Sequence, residues 1–169
     1  MATGTEVLNA GRGEHVVLFY QDEQELAVRV NEYLLPAVTD GGGAVIVIAT
    51  PDHRRSFEEH LAEAGADVAA ARARGSYLEL DANETIGRFM TGDRPDPAGF
   101  WQVISPLLRQ AAGTGPVRVF GEMVSLLCAY PARPVTCSHY LDALTEVCRA
   151  HTEVTGSPPA PELARPPGL

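Results

Sequence analysis

A run of six apolar residues, Ala44–Ala49, lies between three glycines and the sequence Thr50-Pro51-Asp52. An unbroken run of this kind predicts a strand that is buried on both faces, which is typical of parallel sheets. Thr50 suits the N-cap of a following helix and Pro51 its first position, and apolar residues then recur at helical spacing: Phe57, Leu61 and Ala64. The pattern predicts a strand–turn–helix unit, and open α/β sheets bind their ligands at such junctions.

Four further apolar runs are predicted to be strands: His15–Tyr20, Tyr77–Asp81, Val117–Met123 and Leu126–Tyr130. Between them, capping residues and helical spacing predict helices. One helix begins after Asp22, with Glu25 reaching back to the cap, and is ended by Pro36 and the Gly41–Gly43 turn. The central helix is closed by Gly65.

The remaining predicted helices are a short one over Asp67–Ala73, one capped by Asp81 or Asn83 that runs through Met90, a longer one capped by Asp96, and Ser138–His151. The segment 92–97 between two of them is predicted to be a loop. Because strands and helices alternate, the chain is predicted to form a three-layer α/β domain with a mainly parallel sheet flanked by helices.

Composition narrows the class of protein. The chain of 169 residues is long enough for one domain, and no apolar run approaches the roughly 18 residues of a membrane span. A formal net charge of −9 argues against direct nucleic-acid binding. All 13 basic residues are arginines, which excludes a P-loop lysine, a Schiff base and a lysine general base. Three cysteines without an export signal lead us to expect reduced thiols and a cytoplasmic location.

Several short blocks give the chain a resemblance to a known family. His15–Tyr20, Ala49–His53, Asp81–Thr85 and Gly121–Met123, followed by Leu127–Pro131 and Cys148–His151, resemble the successive blocks of the MEDS domain. This domain is the sensory part of bacterial regulators of dichloromethane and methyl-group metabolism. The resemblance implies a RecA/KaiC-like fold without a working nucleotide-binding loop, and a role in sensing small organic molecules beside kinase, anti-sigma or DNA-binding modules.

The domain boundaries follow from the same reading. We expect residues 1–13 to be a flexible N-terminus, 14–155 to form the MEDS-like domain, and 156–169, with five prolines, to be disordered. One departure from the family is the spacing between Met123 and Leu127, where a helix normally separates two strands. Three intervening residues cannot form a crossover, so apolar surface would be left open. This gap predicts a homodimer whose interface includes residues 119–130.

Five residues are candidates for contacting a ligand. His15 and Tyr20 begin and end the first predicted strand, and Tyr20 suits a pocket wall with a hydroxyl group. Thr50 and the amides after it could hold an anion, although capping alone also explains Thr50. Asp81 and Glu122 end two strands and could converge, although capping is also open to Asp81. Glu122 is the strongest candidate, because a carboxylate among apolar strand residues needs a partner or a raised pKa.

No metal, cofactor or catalytic residue is predicted. Cys137, His139, Cys148 and His151 are soft ligands, but their spacing matches no compact zinc pattern, so buried thiols and a helix-end histidine explain them. No nucleophile elbow, phosphate loop or metal-binding helix motif is present, and Gly41–Gly43 precedes its strand rather than following it.

The sequence therefore predicts a stand-alone, non-catalytic sensory domain. It would bind a small organic ligand and regulate signal transduction or transcription through a partner of the kinase, anti-sigma or transcription-factor type. Two alternatives remain open, a ligand-free protein-interaction module that regulates an anti-sigma factor or kinase, and a degenerate nucleotide-binding domain. No direct contact with nucleic acid or a membrane is expected.

Overall fold

The computed structural model describes residues 18, 20–39, 43–92, 94–113 and 115–129. In chain order the larger elements are α1 (Glu23–Thr39), β1 (Ala44–Ala49), α2 (Pro51–Glu63), α3 (Val68–Ala73), β2 (Tyr77–Asp81) and α4 (Ala82–Phe89). A short antiparallel pair, β3 (Met90–Thr91) and β4 (Arg94–Pro95), precedes α5 (Pro97–Ala112), β5 (Val117–Gly121) and α6 (Met123–Ala129). Strands therefore alternate with helices, as the sequence predicts.

The main sheet is parallel and has β1 at its centre. Its order in the described residues is β2-β1-β5, and β1 pairs in parallel with both neighbours. All six residues of β1 are buried, which confirms the prediction of a strand covered on both faces.

Alternate residues of β1 face two separate hydrophobic cores. Val45, Val47 and Ala49 pack with α1, α2 and α3, whereas Ala44, Ile46 and Ile48 pack with α4, α5 and α6. Successive side chains of a strand point to opposite faces, so this division puts helices on both sides of the sheet. The predicted three-layer α/β architecture is confirmed, while the narrower RecA/KaiC-like assignment stays a prediction.

Local capping signals positioned the helices correctly in several places. The Asp22 carboxylate accepts the Glu25 amide at 2.8 Å, and the Glu25 carboxylate accepts the Gln21 amide at 3.0 Å, so α1 begins with the reciprocal cap that the sequence predicts. Asp81, rather than Asn83, caps α4 by accepting from the Glu84 amide. Gly65 follows α2 with φ of 88°, a conformation that a glycine adopts without strain.

Three expectations about the elements are wrong. Pro36 lies inside α1, which continues to Thr39, because a proline in the last turns of a helix removes only one hydrogen bond. The segment 92–97 contains β4 of the short hairpin instead of only a loop. The third is the run 126–130, whose described residues belong to α6 and not to a strand.

The helix α6 also changes the argument for a homodimer. It begins two residues after β5 ends, and its Met123 and Leu127 are buried in the second core of the same chain. Part of the apolar surface of this segment is therefore covered within the chain, whereas Val119 of β5 remains 41% exposed. The cover that α6 provides weakens the argument for a homodimer, which stays an untested prediction.

Some predictions fall outside the described residues. These are the N-terminus 1–13, most of the strand His15–Tyr20, the helix Ser138–His151, the tail 156–169 and the group Cys137, His139, Cys148 and His151. Of the first strand, Leu18 and Tyr20 are described, and Leu18 packs against the first core.

Candidate functional site at the carboxyl edge of the sheet

Three of the predicted site residues lie at one edge of the sheet. In the register of the strands, Ala49 stands opposite Asp81, and Ile48 stands opposite Gly121. Thr50 and Glu122 directly follow β1 and β5, so both lie with Asp81 where the carboxyl ends of the strands meet. Open α/β sheets bind their ligands at this edge.

Glu122 is buried at the junction between β5 and α6. Its residue is only 8% exposed. Its amide donates to the Ile48 carbonyl at 3.1 Å, and its own carbonyl accepts the Leu126 amide at 3.2 Å, so the backbone passes from the sheet ladder straight into the helix. This position fixes the carboxylate against the start of α2, on the neighbouring strand–helix junction.

The Glu122 carboxylate has two partners, and both belong to α2 or its cap. One oxygen accepts the backbone N–H of Thr50, and the other contacts Nδ1 of His53. The prediction that this carboxylate needs a partner is confirmed in that form. Since Thr50 has no side-chain capping bond of its own, Glu122 places a negative charge at the positive end of α2.

His53 links two carboxylates that come from different parts of the chain. While Nδ1 contacts Glu122, Nε2 contacts the carboxylate of Glu23 in the first turn of α1. The ring of Phe57 stacks on the imidazole with centroids 5.8 Å apart, and Phe57 is itself held edge-on by Phe120 at 5.2 Å. The side chain of His53 is 21% exposed, so its orientation is fixed by neighbours more than by water.

These contacts decide the charge of His53. A neutral imidazole has one N–H donor and one lone pair, so one of its nitrogens would face a carboxylate oxygen without a proton between them. Only the doubly protonated ring donates to both carboxylates. Burial alone would lower the pKa of His53, but the hydrogen bonds and charges of Glu122 and Glu23 outweigh it and raise this pKa above its usual value.

Tyr20 lies beside this arrangement with 40% of its surface exposed. Partial burial raises the pKa of its phenol, and the negative charges of Glu23 and Glu122 raise it further. The hydroxyl group therefore stays protonated and can donate a hydrogen bond at neutral pH. We refer to Tyr20, Glu23, His53 and Glu122 as the edge cluster.

Asp81 lies on the other side of β1 and has different partners. Its carboxylate caps α4 and stands 3.6 Å from a guanidinium nitrogen of Arg54. The Nε atom of Arg54 is buried without a hydrogen-bond partner among the described residues. β1 lies between the strands that carry Asp81 and Glu122, and the two carboxylates share no partner among the described residues, so they do not form a pair.

The structure thus joins some predicted residues and adds others. Tyr20, Thr50 and Glu122 come together, Asp81 stands apart, and His15 lies outside the described residues. Sequence reasoning missed His53 and Glu23 as site residues. The signal for His53 was its place three residues after Thr50, in the first turn of the helix that follows the central strand. No local signal identified Glu23.

The edge cluster offers a metal ion no free nitrogen of His53. Both ring nitrogens of His53 are used by carboxylates, and no group of three or more histidine, cysteine, aspartate or glutamate side chains in the described ranges could hold an ion. An open concavity of about 430 Å³ lies elsewhere, between the end of α2 and the start of α3, lined by residues that include Glu58, Ala62 and Val68. Its lining is at the amino edge of the sheet, away from the cluster.

The fold and the cluster define an α/β domain with a buried polar group at the ligand-binding edge of its sheet. A family model described as MEDS, the MEthanogen/methylotroph, DcmR Sensory domain, matches residues 14–152. The match covers most of the chain, which therefore belongs to the MEDS family, a sensory family and not a catalytic one. Comparison with curated proteins and with solved structures gave no significant match. Among the described residues, every helix is too short or too polar to cross a membrane.

Proposed function

We propose that this MEDS domain is a non-catalytic sensor that binds a small organic ligand at the edge cluster. Tyr20, Thr50 and Glu122 would contact or shape the ligand site, and His15 and Asp81 stay further candidates for ligand contact. Binding would change the contacts of the domain with a regulatory protein of the kinase, anti-sigma or transcription-factor type. The output would be control of signal transduction or transcription.

The observation that carries this proposal is the burial of Glu122 with a charged histidine at the carboxyl edge of the sheet. Taking a carboxylate and an imidazolium out of water is costly, and apolar residues of similar size often stabilise a fold equally well. A buried ionic group at the edge where α/β sheets bind ligands is therefore a candidate for function. Tyr20 adds an exposed hydroxyl donor beside it.

The same contacts argue against acid–base catalysis. A general acid or base must exchange a proton with a substrate at hydrogen-bond distance. In the edge cluster, both nitrogens of His53 are already paired with carboxylates, and both oxygens of Glu122 have partners. The arrangement suits recognition and switching better than proton transfer.

One observation favours the alternative of a ligand-free interaction module. Glu122 and His53, the most buried groups of the edge cluster, satisfy each other's hydrogen-bonding needs. Glu122 could therefore serve only to hold β5 and α2 together. In that case the regulatory partner would bind without any small molecule. Ligand binding and stability, measured on the same variants, separate the two functions.

The test is a binding screen on the wild-type chain and two charge-neutralising variants. Protein purified from its own host is first examined by native mass spectrometry for a bound small molecule, and small organic acids, amines, alcohols and halogenated compounds are then screened by ligand-observed NMR. Glu122→Gln should weaken binding of any hit. Glu63→Gln, which neutralises an exposed carboxylate at the far end of α2, is the matched control and should leave binding unchanged.

Equal binding by all three proteins would place the ligand elsewhere. A stable complex with a regulatory protein, formed without any small molecule, would support the interaction module instead.

A further inference from the structure

Glu23 is the most exposed member of the edge cluster, and the hydrogen bonds that cap its own helix do not use its side chain. The cap of α1 is made by two other side chains: the Asp22 carboxylate accepts the Glu25 amide, and the Glu25 carboxylate accepts the Gln21 amide. The side chain of Glu23 is 73% exposed, yet its carboxylate reaches across to His53, 30 positions away in the chain. This tertiary contact is therefore separable from the formation of α1.

The two carboxylates on His53 are not equivalent. Glu122 is buried and is also bonded to the Thr50 amide, so it cannot leave without exposing an unpaired group in the interior. Glu23 has water on most of its surface, so its release costs little desolvation. A competitor for the imidazolium would therefore replace Glu23 and not Glu122.

We propose that Glu23 is a latch that occupies the ligand position, and that the ligand is a small carboxylate which takes its place on Nε2 of His53. The inference rests on the proposed function and specifies its ligand class. A carboxylate replaces a carboxylate without changing the charge of the cluster, and the imidazolium keeps an anionic acceptor on each nitrogen. Besides burial, the nearby charge of Glu23 raises the pKa of the Tyr20 phenol, and we assign its hydroxyl group as the donor to the second oxygen of the ligand.

Displacement would have a consequence for α1. Glu23 ties the first turn of this helix to α2, so its release frees the start of α1 from the carboxyl edge of the sheet. An anionic ligand that binds between α1 and α2 thereby changes the surface that α1 presents. That change provides a route from ligand binding to a protein partner.

The experiment is chemical rescue of the full chain with acetate. Glu23→Ala removes the latch and leaves Nε2 of His53 open to a free carboxylate. Because Glu23 is exposed, the variant should fold. Acetate is titrated at constant ionic strength while the NMR signals of the His53 ring are followed. In the wild type acetate must first displace Glu23, and exposed ion pairs of this kind are weak, so we expect acetate to bind the variant about two- to fivefold more tightly than it binds the wild type.

Two controls establish where the acetate binds. Acetamide, which has the same shape without the charge, should not shift the His53 signals. The double variant Glu23→Ala/His53→Gln should lose acetate binding, whereas Glu63→Ala should behave as the wild type.

Acetate affinity that is the same in Glu23→Ala and in the wild type, or acetate binding that survives His53→Gln, would overturn the latch. This failure is distinguishable from failure of the proposed function. If a compound from the organic screen needs Glu122 for binding but is unaffected by Glu23→Ala, the proposed sensor function is supported and the proposed role of Glu23 is wrong. If no compound binds the wild type or any variant, both the proposed sensor function and the proposed role of Glu23 are wrong.

Discussion

Replacement of Glu122 by glutamine tests the geometry of the edge cluster directly, because it changes one atom of a buried side chain. The amide oxygen can still accept the Thr50 N–H, so the start of α2 keeps its partner. The amide nitrogen, however, would face Nδ1 of His53, and the ring would have to give up its Nδ1 proton to accept from that amide. The variant therefore removes one charge-assisted hydrogen bond and leaves the rest of the junction in place.

The magnitude follows from the burial of the two groups. Hydrogen bonds to charged groups contribute about 1.5–3 kcal/mol, and His53 retains partial access to water, so we expect Glu122→Gln to lower the free energy of unfolding by about 1–3 kcal/mol. Glu122→Ala also leaves the Thr50 amide unpaired and should cost about 3–5 kcal/mol, the range for breaking a buried ion pair. The control Glu63→Gln should stay within about 0.5 kcal/mol of the wild type.

Urea denaturation at pH 6, followed by circular dichroism, measures these differences. A double-mutant cycle with His53→Gln isolates the interaction between the two side chains, and a coupling of about 1 kcal/mol or more is expected for groups in direct contact. If Glu122→Gln unfolds within about 0.5 kcal/mol of the wild type, then the carboxylate is solvated and the reasoning from burial is refuted. If the slope of the unfolding free energy against urea concentration is unchanged, the variants expose the same surface on unfolding, and their stabilities can be compared directly.

Three further predictions use the same structure. The native chain holds the His53 proton more tightly than an unfolded chain, whose histidine has a pKa near 6.5, so the contribution of His53 to stability is complete below that pH and is lost as pH rises through the raised native pKa. Urea midpoints measured from pH 5 to 9 should therefore decrease as the pH rises through this window. In the His53→Gln variant the urea midpoint should change less with pH than it does in the wild type. Burial, followed by the charges of Glu79 and Glu58, raises the pKa of Tyr77 to about 12, and its hydroxyl group has no hydrogen-bond partner among the described residues. Tyr77→Phe should therefore leave the free energy of unfolding unchanged or raise it by up to about 1 kcal/mol, as measured by thermal unfolding. A clear loss of stability would show that the hydroxyl group has a partner. Purified protein should release no phosphate from ATP or GTP above a buffer blank, since the chain has no lysine; turnover abolished by Glu122→Gln would contradict the non-catalytic reading.

Much of the fold was determined by short stretches of sequence. The apolar run of β1, the Thr50-Pro51 start of α2 and the Asp22 cap of α1 each depend on residues within a few positions of one another, so periodicity and capping predicted them correctly. The order of strands and helices then predicted the layered α/β architecture.

The run 126–130 shows where local patterns fail. A short apolar segment satisfies a buried strand and one face of a short helix equally well, and periodicity cannot separate them. The second core decided the outcome, because α6 places Met123 and Leu127 on one face against the helices that cover β1.

The edge cluster could be predicted only in part from the sequence. The sequence identified Glu122 as a carboxylate that needed a partner, and placed Thr50 and Tyr20 at strand ends. It could not identify the partner, because His53 is 69 positions from Glu122 and 30 from Glu23. Only the register of β5 on β1 and the packing of α1 on α2 bring these groups together. Capping depends on neighbours along the chain, whereas a contact between distant side chains exists only once the sheet and its helices are assembled.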